Sequence, residues 1–222
     1  MTRRQRNRGS FRRRPPSIEP RACVLLVCEG SETEPRYFRS LQRKLRLTSV
    51  EVEIVGQGAA PKTVVRRAVE MPKTRRQEVK RGREGFNYDH VWCIIDVEHR
   101  DRNPSLPAAL DQARANKIDV ALSKPCFEYW FILHFADYGK PLIDQDGVLG
   151  ELKEHIPGYS KGLDVFETIW PSVADAIRRA KVRKDSHVRA GTERHHRDPS
   201  TEVDEVVELL RKTAARPHSP TT

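Results

Sequence analysis

Short apolar runs and segments of helical periodicity alternate along the first half of the chain. The apolar runs are Cys23–Cys28, Val52–Val55, Val91–Ile95 and Ile118–Leu122. Cys23–Cys28 is a continuous apolar run, which predicts a strand covered on both faces, as in a parallel sheet, whereas Val52–Val55 and Ile118–Leu122 each contain one acid. Between them, apolar residues recur at helical spacing after Thr33, after Thr63 and from Leu106 to Asn116. The pattern predicts an open, doubly wound, mainly parallel four-stranded sheet, which we take to have strand order 2-1-3-4.

The local signals for the first predicted helix are specific. Glu29-Gly30-Ser31 predicts a tight turn after the first strand. Thr33 is predicted to cap the helix that follows, and Pro35 falls in its first turn, where a missing N–H costs nothing. Whether the second helix continues past Pro72 stays open, because an internal proline removes a hydrogen bond.

The pattern changes after Ser123, where strands give way to helices. The segment Cys126–Phe135 is dense in aromatic residues and predicts a buried helix, and further helices are predicted near 147–155, 164–184 and 201–212. We therefore expect a basic arm over 1–21, one α/β domain over 22–212 whose part from about 124 is helical, and a frayed tail over 213–222.

Charge is concentrated at the N-terminus. Residues 1–21 contain eight arginines and one acid, Glu19, whereas the rest of the chain holds 33 basic and 30 acidic residues. Such a segment has too little apolar surface to fold alone. Its arginines are suited to contact a polyanion such as nucleic acid. The alternative is that the segment is a solubilising tail without a partner.

Cysteine and histidine positions bear on metals and compartment. The four cysteines lie singly in apolar runs, which favours buried thiols in a reducing cytoplasm over disulfides or zinc ligands. His99, His134, His195 and His196 lack the spacing of zinc ligands. No run is apolar enough to span a bilayer or act as a signal peptide, so we expect a cytoplasmic protein. The basic stretch from Arg178 to Lys184 is read as a solvated helix face.

Three acids follow two strands that the predicted order makes neighbours. Glu29 follows the first strand, and Asp96 and Glu98 follow the third. Ligands bind beyond the carboxyl ends of parallel strands where strand order reverses, so these acids are expected to converge on one crevice. Carboxylates crowded together repel each other unless they hold a hard cation. The alternative for each acid is a helix cap.

Longer stretches of the sequence resemble a known family. They are 24–38 (VLLVCEGSETEPRYF), 123–130 (SKPCFEYW), 134–135 (HF), 159–161 (YSK) and 198–203 (DPSTEV). The core resembles the Toprim domain, and the stretches together resemble the RloB-like family of bacterial defence-associated proteins. The resemblance implies a Toprim-like fold, a nuclease activity in phage defence and an ATPase partner.

The resemblance also assigns residues. Glu29 matches the first Toprim acid, and Asp96 and Glu98 match its D-x-D pair, with Glu98 standing where an aspartate is usual. Mg²⁺ or Mn²⁺ is the implied metal, bound by these three acids, with Glu29 either completing the site or handling protons. Glu128 is a further candidate, either for a metal or substrate contact or as a buried partner of an arginine. Lys161 is a candidate for neutralising the scissile phosphate.

The expected function is hydrolysis of RNA or DNA phosphodiester bonds. Two other interpretations stay open, namely a nucleic-acid-binding or sensor subunit that cuts nothing, and nucleotidyl transfer as in primases. No phosphate-binding loop or dinucleotide-binding motif is present in the sequence.

Overall fold

The computed structural model describes residues 22–54, 59–97, 104–142 and 144–215. The strands are β1 (Val24–Cys28), β2 (Val50–Ile54), β3 (His90–Asp96), β4 (Asp119–Lys124) and β5 (Ser200–Thr201). The helices are α1 (Thr33–Leu45), α2 (Pro61–Lys80), α3 (Leu106–Ala115), α4 (Glu128–Ile132), α5 (Gln145–His155), α6 (Phe166–Ile169), α7 (Val173–Arg189) and α8 (Val203–Ala215), with short 3₁₀ turns at Trp170–Ser172 and Arg194–His196. No helix among these residues is both long and apolar enough to cross a membrane. Glu98, His99 and the N-terminal arm lie outside the described residues.

The strands form one sheet in the order β2-β1-β3-β4-β5. β1 pairs in parallel with β2 and β3, and β3 pairs in parallel with β4. This confirms the predicted α/β class and the predicted order of the first four strands, and it is consistent with a Toprim-like fold. The two-residue β5 pairs antiparallel with the end of β4 and was not predicted from the sequence.

Each face of the sheet carries its own apolar layer, because alternate residues of a strand point to opposite faces. Val24, Leu26 and Cys28 of β1 pack in the larger layer with α1, α4 and the C-terminal helices. Leu25 and Val27 pack in the smaller layer with α2 and α3. Burial on both faces explains why β1 is apolar at every position.

Several predicted helix boundaries need correction. Thr33 is the first residue of α1 rather than its cap, and the preceding Glu32 makes no capping bond through its side chain. α2 continues through Pro72 to Lys80, which answers the open question. The predicted helix over 164–184 is divided into α6 and α7 by a 3₁₀ turn at Pro171, since proline has no N–H for a continuous helix.

The four cysteines are free and buried, as predicted. The last helix, α8, ends at Ala215 rather than at 212. In the basic stretch on α7, Arg178 and Lys181 are exposed as expected, Arg179, Arg183 and Lys184 are half-buried, and all five side chains bond to other groups of the protein. These bonds are Arg178 to Asp175, Arg179 to the Leu133 carbonyl, Lys181 to Glu208, Arg183 to Asp137 and Lys184 to Glu205.

Candidate functional site

Glu29 and Asp96 meet at the carboxyl edge of the sheet. β1 and β3 are neighbouring parallel strands, so their carboxyl ends lie side by side. The backbone N–H of Glu29 donates to the Ile94 carbonyl at 3.1 Å, which extends the β1–β3 pairing by one residue. The Glu29 carboxylate then accepts a bond from the backbone N–H of Asp96 at 3.1 Å. The predicted convergence of these two acids is therefore present in the structure.

Glu34 joins the same edge and was missed by the sequence reasoning. It lies in the first turn of α1 and is only 3% exposed. Its carboxylate packs directly over the Cα of Gly30, where any larger residue would collide with it. Burial is the main cause that raises the pKa of Glu34, opposed by backbone N–H groups and assisted by the nearby charge of Glu128. The proximity of Glu34 to Gly30 explains why glycine follows the first acid.

Glu128 enters from α4, beyond the end of β4. It is 1% exposed, and its Oε1 accepts a hydrogen bond from the Thr33 hydroxyl at 3.0 Å. The sequence left open that Glu128 is the buried partner of an arginine. Among the described residues it forms no hydrogen bond or ion pair with an arginine. Glu128 therefore belongs to the acidic edge, and Thr33 serves to orient it rather than to cap α1.

Asp96 is surrounded by the other three acids. Burial raises the pKa of Asp96 well above its usual range, and the charges of Glu34, Glu128 and Glu29 raise it further. The backbone N–H of Phe127 opposes this rise. The Oδ1 atom of Asp96 is buried and has no hydrogen-bond partner among the described residues. We call this group of Glu29, Glu34, Asp96 and Glu128 the acidic crevice.

Lys161 is a cation whose charge acts on the acids of the crevice. Partial burial lowers its pKa, but the charges of Glu128, Asp96 and Glu34 outweigh burial, so that the pKa of Lys161 is raised overall. The next residue, Gly162, accepts a hydrogen bond from the Arg36 guanidinium through its carbonyl, which ties the Lys161 loop to α1. Lys161 itself is exposed, so its ammonium is accessible at the rim of the crevice.

The side chains present fit a hard divalent cation. Carboxylate oxygens are the preferred ligands of Mg²⁺ and Mn²⁺, and four carboxylates converge here, with the Lys161 ammonium at the rim. A buried carboxylate oxygen without a partner costs free energy unless a proton or a cation satisfies it, and Asp96 Oδ1 is such an atom. Glu29, Asp96, Glu34 and Glu128 are thus the described residues suited to hold the metal. Glu98, the third acid predicted from the sequence, lies outside the described residues.

The histidines form a separate group. The ligand atoms of Glu193, His195 and His196 lie within 4.8 Å of one another, in the 3₁₀ turn before β5. Glu193 is within ion-pair distance of both rings, at 3.8 Å. His134 is buried, and its Nδ1 lies 2.9 Å from the Trp130 carbonyl, while burial lowers its pKa to about 4. None of these three histidines contributes to the acidic crevice.

Comparison with known proteins gives one match. The sequence model of a family described as RloB-like protein matches residues 24–210, which is most of the chain. No curated protein and no solved structure matches. The matched range includes every described residue of the acidic crevice and Lys161.

Proposed function

The chain belongs to the RloB-like family, and we propose that it is a metal-dependent hydrolase of phosphodiester bonds in RNA or DNA. The observation that carries this proposal is the position of Asp96. It is a crowded carboxylate with one buried, unpartnered oxygen, at the carboxyl edge between two parallel strands where strand order reverses. Perturbed acids in such a crevice are typical of catalytic sites.

The roles follow from position. Asp96 and Glu29 would hold the metal, and Glu34 and Glu128 would supply further oxygen donors beside them. When bound, a divalent cation such as Mg²⁺ or Mn²⁺ neutralises charge on a phosphate and lowers the pKa of water. Lys161, at the rim, is placed to neutralise a non-bridging phosphate oxygen. A carboxylate with a raised pKa, such as that of Glu34, is suited to exchange a proton with the nucleophile or the leaving group.

The biological setting is proposed from the family resemblance. We propose a cytoplasmic protein in bacterial phage defence that works with an ATPase partner. The arginine-rich arm over 1–21 supplies sequence-independent affinity for nucleic acid in this proposal, since salt-sensitive contacts between arginine and phosphate need no folded surface.

The test is cleavage of labelled RNA and DNA by the purified full chain with Mg²⁺, Mn²⁺ or EDTA. Asp96→Asn and Glu29→Gln should each reduce the metal-dependent rate by about a hundredfold or more, because each removes a ligand of the same cation. Glu84→Gln is the matched control, since Glu84 is exposed in the loop between α2 and β3 and its substitution should leave the rate unchanged.

Two results would contradict the proposal. The first is cleavage that Asp96→Asn leaves undiminished. The second is a wild-type protein that neither cuts nucleic acid, alone or with its ATPase, nor gains thermal stability from Mg²⁺; this would favour a binding or sensor subunit. Polymer formation from nucleoside triphosphates at the same acids would instead indicate nucleotidyl transfer.

A further inference from the structure

α1 carries an exposed basic face. Its segment from Thr33 to Arg46 contains five basic residues and one acid, Glu34, which is turned into the acidic crevice. Residues at spacings of three and four lie on one side of a helix. The residues with this spacing on the exposed side of α1 are Arg36, Arg39 and Arg43, which we call the α1 basic face. The opposite side, with Phe38 and Leu41, is buried in the core.

The α1 basic face differs from the basic face of α7 in how its charges are used. On α7, the basic residues from Arg178 to Lys184 each bond to a carboxylate or a carbonyl of the protein. On α1, Arg39 forms no hydrogen bond or ion pair with any described residue. Among the residues that the structure describes, Arg43 bonds only to the Ser40 hydroxyl one turn earlier. The charges of Arg39 and Arg43 are therefore available to an external anion, whereas each cation of the α7 stretch already has a partner within the protein.

The α1 basic face is also continuous with the acidic crevice. α1 begins four residues after Glu29, and Arg36 holds the loop that carries Lys161. The cations from Lys161 to Arg43 thus begin at the rim of the crevice and lead away from it.

We propose that the α1 basic face binds the phosphodiester backbone of the nucleic-acid substrate and leads the strand to the acidic crevice. The carboxylates of the acidic crevice repel a polyanion, so nearby cations are needed to attract it. Because salt at 0.1 M screens exposed charges beyond about 10 Å, these cations must lie close to the crevice. Arg36 to Arg43 span roughly 10 Å of helix, which matches this range. The choice of a polynucleotide as the bound anion rests on the proposed function, since the neighbouring crevice is suited to phosphodiester chemistry.

The experiment measures binding rather than cleavage, with EDTA present so that metal chemistry is absent. Anisotropy of short labelled RNA and DNA is recorded for the full chain from about 50 to about 200 mM salt. The test variant is Arg39→Gln with Arg43→Gln. The charge-preserving variant is Arg39→Lys with Arg43→Lys. The matched control is Arg76→Gln with Arg81→Gln, which removes two exposed charges at the far end of α2, on the other face of the sheet.

The test variant should bind about tenfold more weakly at low salt, and its log–log salt slope should be smaller by about 1.4–1.8, as expected for two lost phosphate contacts. The lysine variant should retain the wild-type slope, and the α2 control should as well. An unchanged slope in the test variant would overturn the inference, and so would an equal loss in the α2 control, which would indicate net charge alone. Because the experiment measures binding and not cleavage, a protein that binds nucleic acid through α1 but does not cut it would contradict the proposed activity and not this inference.

Discussion

Two regions of this protein bury carboxylates at the ends of strands, and they treat them in opposite ways. In the acidic crevice, Asp96 ends β3 among three other acids, and its Oδ1 has no partner among the described residues. Beside β5, Glu202 is 6% exposed and fully paired. Arg194 donates to both of its carboxylate oxygens, at 2.7 and 2.6 Å, and the backbone N–H of Leu122 donates to it at 3.0 Å.

The difference separates a structural acid from a candidate functional one. Glu202 and Arg194 fix β5 and the start of α8 against β4, and a charge satisfied in this way has no capacity left for a ligand. Beyond burial, the charges of Glu34 and Glu128 raise the pKa of Asp96, and a proton or a cation would relieve this repulsion. Burial alone does not distinguish these two kinds of acid; the identity of their partners does.

The largest expected effect is on stability, and it tests whether a buried acid without a hydrogen-bond partner must be a functional residue. Asp204 is fully buried two residues after Glu202, and neither of its carboxylate oxygens has a hydrogen-bond partner among the described residues. Burial raises its pKa to about 7, with Lys184 opposing and Glu205 assisting the rise. Because the folded pKa lies above the unfolded one, the contribution of Asp204 to stability is greatest below about pH 4 and falls as pH rises through about 7.

Asp204→Asn removes this loss. The variant should match wild type near pH 4 and exceed it by up to about 4 kcal/mol above pH 8. Urea unfolding across this pH range measures the difference, and neither protein should respond to Mg²⁺ differently from the other. A variant that is less stable than wild type above pH 8 would mean that Asp204 is paired as a charged group, like Glu202.

The second prediction concerns the paired region. Arg194→Ala leaves Glu202 buried without its cation, and the free energy of unfolding should fall by about 2 kcal/mol, with no dependence on Mg²⁺. Arg178→Ala is the control, because Arg178 forms an exposed pair with Asp175 on α7 and should change stability by less than about 0.5 kcal/mol. Equal effects of the two substitutions would show that the Glu202 pair is no more than a surface ion pair.

The third and smallest effect is expected in the acidic crevice. Asp96→Asn removes a carboxylate whose ionised form is disfavoured by burial and by the neighbouring charges, so the protein in EDTA should melt at the same temperature as wild type or higher. Mg²⁺ at ten times its Kd should stabilise wild type by about 1.4 kcal/mol and the variant far less. Glu202→Gln should do the reverse, melting lower and retaining the Mg²⁺ response. A destabilised Asp96→Asn beside a wild type indifferent to Mg²⁺ would rule out the metal site.

The four parallel strands and the meeting of Glu29 with Asp96 could be predicted from the sequence, and Glu128 was a candidate residue, whereas β5 and Glu34 were missed. Continuous apolar runs such as Val91–Ile95 predict buried parallel strands, because side chains on both faces must be apolar when both faces are covered. The order of β1 and β3 then places the residues that follow them, Glu29 and Asp96, at one edge. These inferences need only the periodicity of contiguous residues and the general rule that ligands bind beyond the carboxyl ends of parallel strands where strand order reverses.

Tertiary structure alone decided the rest. Glu34 stands four and seven residues before Phe38 and Leu41, so helical spacing puts it on their face of α1, but only the packing of that face at the carboxyl edge of the sheet brings it beside Asp96. Glu128 and Glu202 are both buried acids near apolar residues, yet one receives a threonine hydroxyl and the other an arginine. These partners are 95 and 8 residues away along the chain, and no periodicity relates them. Their meeting depends on how separate elements share one core, which only the folded chain establishes.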